Sequence, residues 1–549
     1  MAGSDSAGSD SAGSGLSAPP VGWWTKAHGG LLLVALVVLI VAGRGQHFFY
    51  DEWAFIGGKL DAVPFPDRYL LPHNEHWTLL PVVTYRILRA TVGVGSYWPY
   101  LGLLLMLHLG VTHLLWRLMV VLGSRPIVAT SGAAVFGVLG AGAEDLVWAF
   151  QIAFVGSTLL GTGAIYLAVT GTASWRKTGV LACLTLAGLA TSGVGVAYLI
   201  VVPLVYAWRR GRHTVIVFCL PLLVYLMWYL TYGGSLTHPP RDWVTVPLLI
   251  AAFVAIGLAT ASTGYFGIEM SSALTALLLG VPIVAGIMLA CRGWIVDKTL
   301  AGRTAFAMCV GAAAFFGAAG FARGGLGLGI ATSPRYAYVA IALLLPGLAL
   351  VLSRGVARHP ALSKAIVPVA VAMAVSNIIQ LMAYAAETRQ NSTASLRVLT
   401  AASDMVNLNT ALFADQLPEP ALAPDLTTTD LRSRRLDAAF QGSIPAPRDH
   451  LTASLNLQIK IALHRVTGTT PTCSSSPARQ ITVPVSRHTA PKFTVTADSP
   501  VAFTLNDAGL RSGQRVIMLT KGTYIIHSRR TGGELTLDSS SPSSLMGNC

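Results

Sequence analysis

Residues 31–42 read Leu-Leu-Leu-Val-Ala-Leu-Val-Val-Leu-Ile-Val-Ala, a run in which no side chain is polar or charged. The segment 26–44 that contains this run is long enough to cross a hydrocarbon core of about 30 Å as a helix. Trp23 and Trp24 precede the run and Arg44 follows it. No clear Ala-x-Ala cleavage site follows, as it would in a secretory signal peptide. We therefore predict that residues 26–44 form an uncleaved first membrane helix.

Similar apolar runs recur up to residue 384. The 549-residue chain is 53% hydrophobic and only 11% charged, with a mean hydropathy of +0.60, whereas soluble domains carry about a quarter charged residues. Because every backbone amide in lipid must be hydrogen-bonded within the protein, a polytopic α-helical bundle is expected. About eleven spans are predicted, at residues 26–44, 97–122, 126–143, 150–170, 178–192, 195–208, 214–232, 271–291, 304–321, 336–353 and 365–384.

The basic residues between these spans predict the orientation of the chain. The stretch 243–262 is apolar enough to be a twelfth span, but counting it would move one basic cluster to the opposite side. Without it, the basic clusters all lie on the side of the N-terminus: Arg117/Arg125, Arg176/Lys177, Arg209/Arg210/Arg212, Arg292/Lys298/Arg303 and Arg354/Arg358/Lys364. Basic loops stay in the cytoplasm. We therefore predict a multi-pass plasma (inner) membrane protein with a cytoplasmic N-terminus, an extracytoplasmic C-terminus, and an interfacial or re-entrant 243–262.

Composition divides the chain into three parts. Residues 1–25 contain two Gly-Ser-Asp-Ser-Ala repeats, which predict a disordered cytoplasmic tail. Residues 26–384 hold the spans. Residues 385–549 are more polar and predict an extracytoplasmic domain, in which the apolar periodicity of 451–463 indicates a short helix. From about residue 480, period-two segments between turn residues predict a β-sandwich. The net charge of +14 reflects the loops of a membrane protein and does not indicate a nucleic-acid partner.

The placement of the cysteines predicts one disulfide bond. Four of the six lie in or at the ends of predicted spans, where a free thiol behaves as a small apolar residue. Cys473 and Cys549 are the two in the C-terminal domain, and we predict that they pair and close a loop around the strand-rich region. The chain has no Cys-x-x-Cys pair or Cys/His array that would predict a zinc site.

An acidic pair stands directly after the first helix, in Phe48-Phe49-Tyr50-Asp51-Glu52-Trp53. Adjacent carboxylates among aromatic side chains at a membrane surface are costly to desolvate, and general bases are made in this way. The rings would exclude water and stack on a sugar. The alternative is a solvated loop with a helix-capping Asp. On the functional interpretation, Asp51 or Glu52 is the catalytic base, with Asp51 the first choice.

The same predicted loop continues with Leu-Pro-His-Asn-Glu-His-Trp at 71–77. Two His and one Glu within four residues suit three roles. They could ligate a divalent cation, hydrogen-bond a sugar or phosphate, or cap the helix that begins near Trp77. The residues in question are His73, Asn74, Glu75 and His76.

Two later loops on the same predicted side add further candidates. Glu144 and Asp145 are again acids beside aromatic residues, and Gln151 enters a span, where a polar residue is a functional candidate or packs the loop. Arg323 and Arg335 lie on the side where topology does not favour them. Their guanidinium groups match phosphate geometry, although snorkelling to lipid headgroups is the alternative.

These features together resemble the GT-C superfamily of membrane glycosyltransferases. The pair Asp51-Glu52 resembles the acidic motif of protein O-mannosyltransferases, aminoarabinose transferases and mycobacterial arabinofuranosyltransferases. Ser-Pro-Arg-Tyr at 333–336 resembles a Ser-Arg-Tyr motif in a late outer loop of such proteins, with Pro334 inserted. The overall pattern looks most like actinobacterial members. The resemblance covers the architecture of residues 26–384.

The resemblance implies a hexosyl- or pentosyltransferase of the cell envelope. Its donor would be a polyprenyl-phosphate-linked sugar, its acceptor a hydroxyl on an envelope glycan, lipid or protein, and its surroundings membrane lipids. The carboxylates Asp51 and Glu52 would supply the base, and Arg323 or Arg335 would hold the departing phosphate. Tyr336, the last residue of the motif, joins the candidate substrate-binding residues. No cofactor is certain, and a divalent cation stays open.

Two functions of other classes compete with a glycosyltransferase. A transporter or flippase of lipid-linked glycans would need ionisable residues deep within the spans, and often internal repeats. Few charges stand at mid-membrane and no repeat is obvious, while the carboxylates gather at one face, which favours surface chemistry. A non-catalytic envelope assembly protein is the third hypothesis.

Overall fold

The computed structural model describes residues 22–57, 61, 63–209, 213–233, 243–268, 273–296, 298–414, 416–463, 478–488, 490–541 and 544–547. Most of the predicted N-terminal tail lies outside these ranges. Cys473 and Cys549 do as well, so their disulfide bond stays a prediction.

The described residues form a mostly helical chain that ends in a β-rich region. The helices are α1 (Trp23–Gly43), α2 (Glu52–Ile56), α3 (Asp67–Leu70), α4 (Leu79–Thr91), α5 (Trp98–Val121), α6 (Pro126–Gly137), α7 (Glu144–Val147), α8 (Ile152–Val169), α9 (Trp175–Leu189), α10 (Gly195–Trp208), α11 (Thr214–Tyr232), α12 (Val246–Tyr265), α13 (Ala273–Val296), α14 (Leu300–Arg323), α15 (Pro334–Arg358), α16 (Ser363–Asn407), α17 (Thr428–Arg432), α18 (Asp437–Phe440) and α19 (Pro447–Gln458).

The sequence also explains where several of these helices begin. Pro126 occupies the first turn of α6, where its missing N–H costs nothing. The Ser174 side chain accepts a hydrogen bond from the Lys177 amide at the start of α9, and Thr299 does the same for Gly302 at the start of α14. Such caps satisfy amides that the helix itself leaves unpaired.

By length and composition, eight helical stretches among the described residues can cross a membrane. These correspond to α1, α5, α8, α11, α12, α14, α15 and α16. Three apolar helical stretches are shorter, namely Pro126–Gly137, Gly195–Trp208 and Leu277–Ala290. The chain is therefore a multi-pass helical membrane protein, as predicted, although several predicted spans are short.

Helix contacts define the two ends of the bundle. The start of α1 meets the end of α5, where His28 stacks on Trp116 with 4.5 Å between ring centroids. The start of α6 meets the end of α15, where the Arg125 amide donates to the Ser353 hydroxyl. We call this end the basic end, because it carries the predicted clusters. Its described members are Arg117, Arg125, Arg176, Lys177, Arg209, Arg292, Lys298, Arg303, Arg354, Arg358 and Lys364.

The opposite end carries the candidate loops, and we call it the loop end. There the start of α8 meets the end of α9, where the Ser157 hydroxyl donates to the Gly188 carbonyl. The Leu80 amide, at the start of α4, donates to the Ala190 carbonyl just beyond α9. Helices that are consecutive in the chain thus alternate in direction, with α12 as the exception.

The exception concerns the stretch predicted to be interfacial or re-entrant. Gly257 of α12 packs on Phe316, and Leu249 lies against Gly324 just after α14, so α12 and α14 are antiparallel. Only residues 297–299 separate α13 from α14, so these two helices are antiparallel neighbours. Gly280 of α13 packs on Ala259, and further along both helices residues 261–266 share a small cavity with residues 283–287. The helices α12 and α13 are therefore parallel, and α12 is long and apolar enough to cross a membrane.

The chain forms two compact units that interleave along the sequence. The helical unit comprises the described residues up to Arg44, Tyr69–Thr84 and Tyr100–Ala386. The mixed unit comprises Gly45–Arg68, Tyr85–Pro99 and Glu387–Cys549. Parts of the loop after α1 thus belong to the mixed unit, whereas residues 26–384 were all predicted to form the membrane domain.

The mixed unit contains two antiparallel sheets. Its strands are β1 (Ile459–Leu463), β2 (Gln480–Pro484), β3 (Lys492–Val495), β4 (Ser499–Asp507), β5 (Leu510–Arg511), β6 (Arg515–Leu519), β7 (Gly522–Ser528), β8 (Glu534–Ser539) and β9 (Leu545–Gly547). One sheet has the order β1-β7-β3-β9; the other has the order β2-β8-β4-β5, with β6 also paired to β4. Phe493 of the first sheet packs on Phe503 of the second, with 6.1 Å between centroids, in a shared buried core. The predicted β-rich region is confirmed.

One segment differs from its predicted structure. The helical periodicity assigned to 451–463 holds only as far as Gln458, where α19 ends. Residues 459–463 form β1, paired antiparallel with β7 from Ile459 opposite Ser528 to Leu463 opposite Tyr524. The sequence Ile-Lys-Ile-Ala-Leu suits either structure, and pairing with a partner strand distant in sequence decided the outcome.

The orientation of the bundle stays a prediction, and reporter fusions test it. We expect a fusion at Lys298, at the basic end, to report a cytoplasmic location, because basic loops are retained there. A fusion at Arg210 should match it, whereas a fusion at Ser541 should report the outside. An external signal at Lys298 or a cytoplasmic one at Ser541 would overturn the assignment.

Candidate functional site

Glu52, the second residue of the acidic pair, is fully buried at the start of α2. Its carboxylate accepts hydrogen bonds from the Tyr85 hydroxyl at 2.7 Å, from the Tyr97 hydroxyl at 3.2 Å and from the Phe49 amide at 3.1 Å. A buried carboxylate is tolerated only when hydrogen bonds replace those it made to water. These bonds tie the acidic segment to residues 85–97, so the contacts of Glu52 are those of a positioning residue.

Asp51 differs from its neighbour, because it is only partly buried and precedes the first residue of α2. Tyr50, just before it, has a φ of 56°, which is uncommon for a residue other than glycine. The Tyr50 amide donates to the Leu422 carbonyl at 2.5 Å, which holds this turn. Strained backbone at a non-glycine residue clusters at functional sites. Asp51 in this turn is partly exposed, whereas Glu52 is buried.

The aromatic residues around the pair are mostly structural. Trp53 and Phe48 are buried, and they pack on Phe440 and Tyr97 respectively. Tyr50 is 41% exposed. The expectation that all these rings would stack on a sugar is therefore wrong for Phe48 and Trp53, because they fill the core of the mixed unit.

A charged network in the mixed unit was not predicted. Asp61 accepts hydrogen bonds from Arg86 at 2.6 Å, from Arg89 at 3.1 Å and from Arg435 at 3.2 Å. Burial alone would raise the pKa of Asp61, but the charges and hydrogen bonds of Arg89 and Arg86 hold it below its ordinary value. Arg89 also donates to the Ile56 carbonyl at 3.0 Å. The network fastens the loop after α2 to α4 and to the chain near α18.

In the helical unit, the predicted His-Asn-Glu-His segment forms a tight turn. The amides of His73 and His76 each donate to the other's carbonyl at 3.1 Å, and Asn74 has a φ of 51°. Glu75 pairs with Arg323, whose Nε and Nη2 lie 3.1 and 2.5 Å from the same carboxylate oxygen.

The pairing with Arg323 sets the charge of Glu75. Burial opposes ionisation, but the hydrogen bond and charge of Arg323 prevail, so the pKa of Glu75 lies below its ordinary value. A carboxylate with a lowered pKa stabilises the fold at neutral pH, and this contribution is lost as the pH falls through that pKa. The ion pair is therefore intact near pH 7.

His76 is neutral at physiological pH. Burial, followed by the charge of Arg323, lowers its pKa to about 4, although Glu75 acts in the opposite direction. Its ring meets Phe154 edge-on, with 6.0 Å between centroids. A Cβ on Gly193 would come within 2.7 Å of His76 Nδ1, so only glycine fits there. His76 can thus donate or accept a hydrogen bond but carries no charge.

The predicted Glu144 and Arg335 form a second ion pair at the loop end. Arg335 Nη1 lies 3.2 Å from one carboxylate oxygen of Glu144, and Gln151 donates to that same oxygen at 3.2 Å. The Ser333 hydroxyl donates to the other oxygen at 3.1 Å. The Arg335 guanidinium also lies over the ring of Tyr336, 5.6 Å from its centroid. Every residue named here except Ser333 was a candidate from sequence.

Asp145, next to Glu144, differs from the other acidic residues at the loop end in its burial and its hydrogen bonding. It is fully buried, and neither carboxylate oxygen accepts a hydrogen bond from the described residues. Burial and then the charge of Glu144 raise its pKa well above the ordinary value, although Arg335 opposes them. An uncharged carboxylic acid is the form that such surroundings tolerate.

The candidates thus divide between the two units. The loop end of the helical unit holds His73, Asn74, Glu75, His76, Glu144, Asp145, Gln151, Arg323, Arg335 and Tyr336, whereas Asp51 and Glu52 belong to the mixed unit. Within the part of the chain that is described, no group of three or more His, Cys, Asp or Glu residues could hold a metal ion. Ser333 was noted only as part of the motif at 333–336, and Gly193 and Phe154 were not singled out, because no local pattern marks a residue that contacts a distant one.

Comparison with known proteins adds a distant likeness. No known protein family and no curated protein matches the chain. A solved structure, the archaeal oligosaccharyltransferase AglB from Archaeoglobus fulgidus in complex with an inhibitory peptide and a dolichol-phosphate, matches with a TM-score of 0.40 and 11% identity. The match covers 69% of this chain and 58% of AglB. A likeness of this size does not establish a common fold or activity.

The buried acid gives a prediction about stability. An acid whose pKa is raised by folding stabilises the fold fully below its unfolded pKa, and this contribution is lost as the pH rises through the folded pKa. Asp145→Asn removes the titration. We expect the variant to lack the wild-type loss of stability with rising pH, which amounts to at most about 1.4 kcal/mol per pH unit. Thermal unfolding in detergent from pH 4 to pH 8 measures this.

Glu144→Gln should lessen the loss of stability with rising pH, because the charge of Glu144 contributes to the raised pKa of Asp145. It also weakens the ion pair with Arg335 and should lower the unfolding temperature at pH 7. A wild-type protein that is at least as stable as Asp145→Asn at pH 8 would show that Asp145 is ionised and satisfied in the fold.

Proposed function

We propose that the protein is a membrane glycosyltransferase that moves a sugar from a polyprenyl-phosphate donor to a hydroxyl on an envelope glycan, lipid or protein at the outer face of the membrane. The observation that carries this proposal is the difference in burial between the two adjacent acids, Asp51 and Glu52. Glu52 is buried and accepts hydrogen bonds from two tyrosine hydroxyls and a backbone amide, while Asp51 beside it is partly exposed.

Asp51 would act as the general base of the transfer. It takes the proton of the acceptor hydroxyl as that oxygen attacks the anomeric carbon of the sugar. The bond between this carbon and the phosphate oxygen breaks, and its electron pair leaves with the polyprenyl phosphate. A positioned carboxylate contributes about 10²–10⁴-fold to such a step. Glu52 would position the turn that presents Asp51.

Arg323 and Arg335 would receive the lipid phosphate. Each guanidinium is held by a glutamate, Glu75 or Glu144, which restricts its orientation before a ligand arrives. A guanidinium offers more donors than one carboxylate uses, and its planar fork suits phosphate oxygens. Neutral His76 adds a hydrogen-bonding group beside Arg323 without cancelling its charge.

A second candidate is proton-coupled transport of a lipid-linked glycan. The observation that favours it is Asp145, a buried acid in the helical unit with no hydrogen-bond partner among the described residues. Ionisable groups inside a bundle mark ion or proton pathways in many transporters. Translocation of a labelled lipid-linked sugar across sealed vesicles, without formation of a glycosylated product, would favour this candidate.

Substitution of the acidic pair tests the base. We expect Asp51→Asn to lower transfer from a radiolabelled decaprenyl-phospho-sugar by about 10²-fold or more, because the variant keeps the shape of the residue and loses the base. Glu52→Gln should retain more activity per folded molecule but lower the unfolding temperature, because it weakens a buried hydrogen-bond network.

The control is Asp67→Asn, which removes another partly buried acid of the mixed unit and should leave transfer unchanged. Donors carrying different sugars, assayed with envelope acceptors in membranes, would identify the reaction. Full activity in the Asp51→Asn/Glu52→Gln double variant would refute the mechanism.

A charge-preserving substitution tests the arginines. Arg335→Lys keeps the positive charge but loses the planar fork, so we expect weaker donor binding and a raised donor KM. We expect Arg323→Lys to raise the donor KM in the same way. Arg125→Lys, at the basic end, is the matched control and should have no effect. Unchanged donor turnover in Lys and Ala variants at both positions would favour snorkelling to lipid headgroups.

A further inference from the structure

The mixed unit contains an open cleft of about 470 Å³ that none of the candidate residues lines. Three parts of the chain form it: residues 411 and 413, residues 487, 488 and 490 after β2, and residues 527–529 at the end of β7. The side chains that give the cleft its character are basic or aromatic, namely Arg487, His488, His527, Arg529 and Phe413.

The two arginines converge without a neutralising acid. Arg487 donates through Nε to the Arg529 carbonyl, and the Arg529 guanidinium lies over the ring of Phe413, 4.7 Å from its centroid. No carboxylate of the described residues lies within 4.0 Å of either guanidinium, and none lines the cleft. Three other arginines of the unit are paired with carboxylates: Arg435 with Asp61, Arg479 with Asp538 and Arg530 with Asp507.

Backbone hydrogen bonds hold the walls of the cleft in place. The Phe413 amide donates to the Leu457 carbonyl at 2.9 Å, and the Arg529 amide donates to the Gln458 carbonyl at 2.9 Å. Both acceptors lie at the end of α19, immediately before β1. The two walls are therefore attached to adjacent residues of one rigid element. A site whose walls are positioned before the ligand arrives loses less entropy on binding.

We propose that this cleft binds a saccharide that carries an anionic group, either a carboxylate or a phosphate. Two uncompensated guanidinium groups offer forked donors for such an anion. The volume exceeds that of a single anion and falls in the range of small-ligand sites, which leaves room for a sugar ring beside the charge.

The alternative anion, a lipid headgroup in a bilayer, fits the cleft less well. Membrane-surface sites combine basic residues with exposed apolar anchors. Among the described residues, Phe413 is the only large apolar side chain that lines the cleft, and it is half-buried beneath Arg529. The site is independent of the transfer reaction, so it can be measured in the Asp51→Asn variant.

Calorimetry on the full-length protein in phosphatidylcholine nanodiscs tests the site with trigalacturonate and inorganic phosphate as probes. We expect trigalacturonate to bind more tightly than neutral maltotriose. The Arg487→Ala/Arg529→Ala variant should weaken this binding by about tenfold or more, because hydrogen bonds between charged groups are lost. Arg487→Lys/Arg529→Lys should lose part of the affinity. Binding of inorganic phosphate should fall in the same order.

Arg479→Ala is the matched control, because Arg479 is an exposed arginine of the same unit that is paired with Asp538 and lies outside the cleft. Its binding should equal that of the wild type. Three results would overturn the proposal: equal affinity for maltotriose, wild-type affinity in the Arg487→Ala/Arg529→Ala variant, or phosphatidylglycerol vesicles binding through these arginines while trigalacturonate does not. Loss of binding in Asp51→Asn would place the saccharide at the proposed catalytic residue instead.

Discussion

The requirement that no backbone amide be left unpaired in hydrocarbon governs the helical unit. A helix satisfies its own amides, so apolar segments of this chain cross as helices, and the polar connections are confined to the ends of the bundle. The helix α12 packs antiparallel to α14 and parallel to α13.

Charge at the loop end is arranged as pairs. Glu75 with Arg323, and Glu144 with Arg335, each join a segment near the start of the chain to one beyond residue 320. Partly buried ion pairs of this kind stabilise only modestly, since desolvation offsets most of the attraction. Their stronger effect is to hold polar side chains in fixed positions. Asp145 is left outside this pairing, and burial together with the charge of Glu144 raises its pKa.

The mixed unit holds a turn whose backbone is strained at Tyr50 and which carries the acidic residue Asp51. Buried Glu52 holds the turn by accepting hydrogen bonds from the Tyr85 and Tyr97 hydroxyls and the Phe49 amide. The Tyr50 amide donates a further hydrogen bond to the Leu422 carbonyl. The β-sandwich of this unit adds a basic cleft formed by three segments far apart in sequence. One unit of this chain therefore contains both the proposed base and a separate place for an anionic saccharide.

The sequence alone identified the apolar helical segments, the polarity of the loops and the presence of a β-rich region, because hydropathy and period-two alternation are local properties of the chain. It did not assign Val246–Tyr265, which is long and apolar enough to span. It also located the acidic pair and the two arginines Arg323 and Arg335. Only the tertiary structure decided that Glu52 is buried and Asp51 accessible, that Phe48 and Trp53 belong to the core, and that residues 459–463 form a strand. The partners of Arg323 and Arg335 lie 248 and 191 residues away, and no local pattern encodes a contact at such a separation.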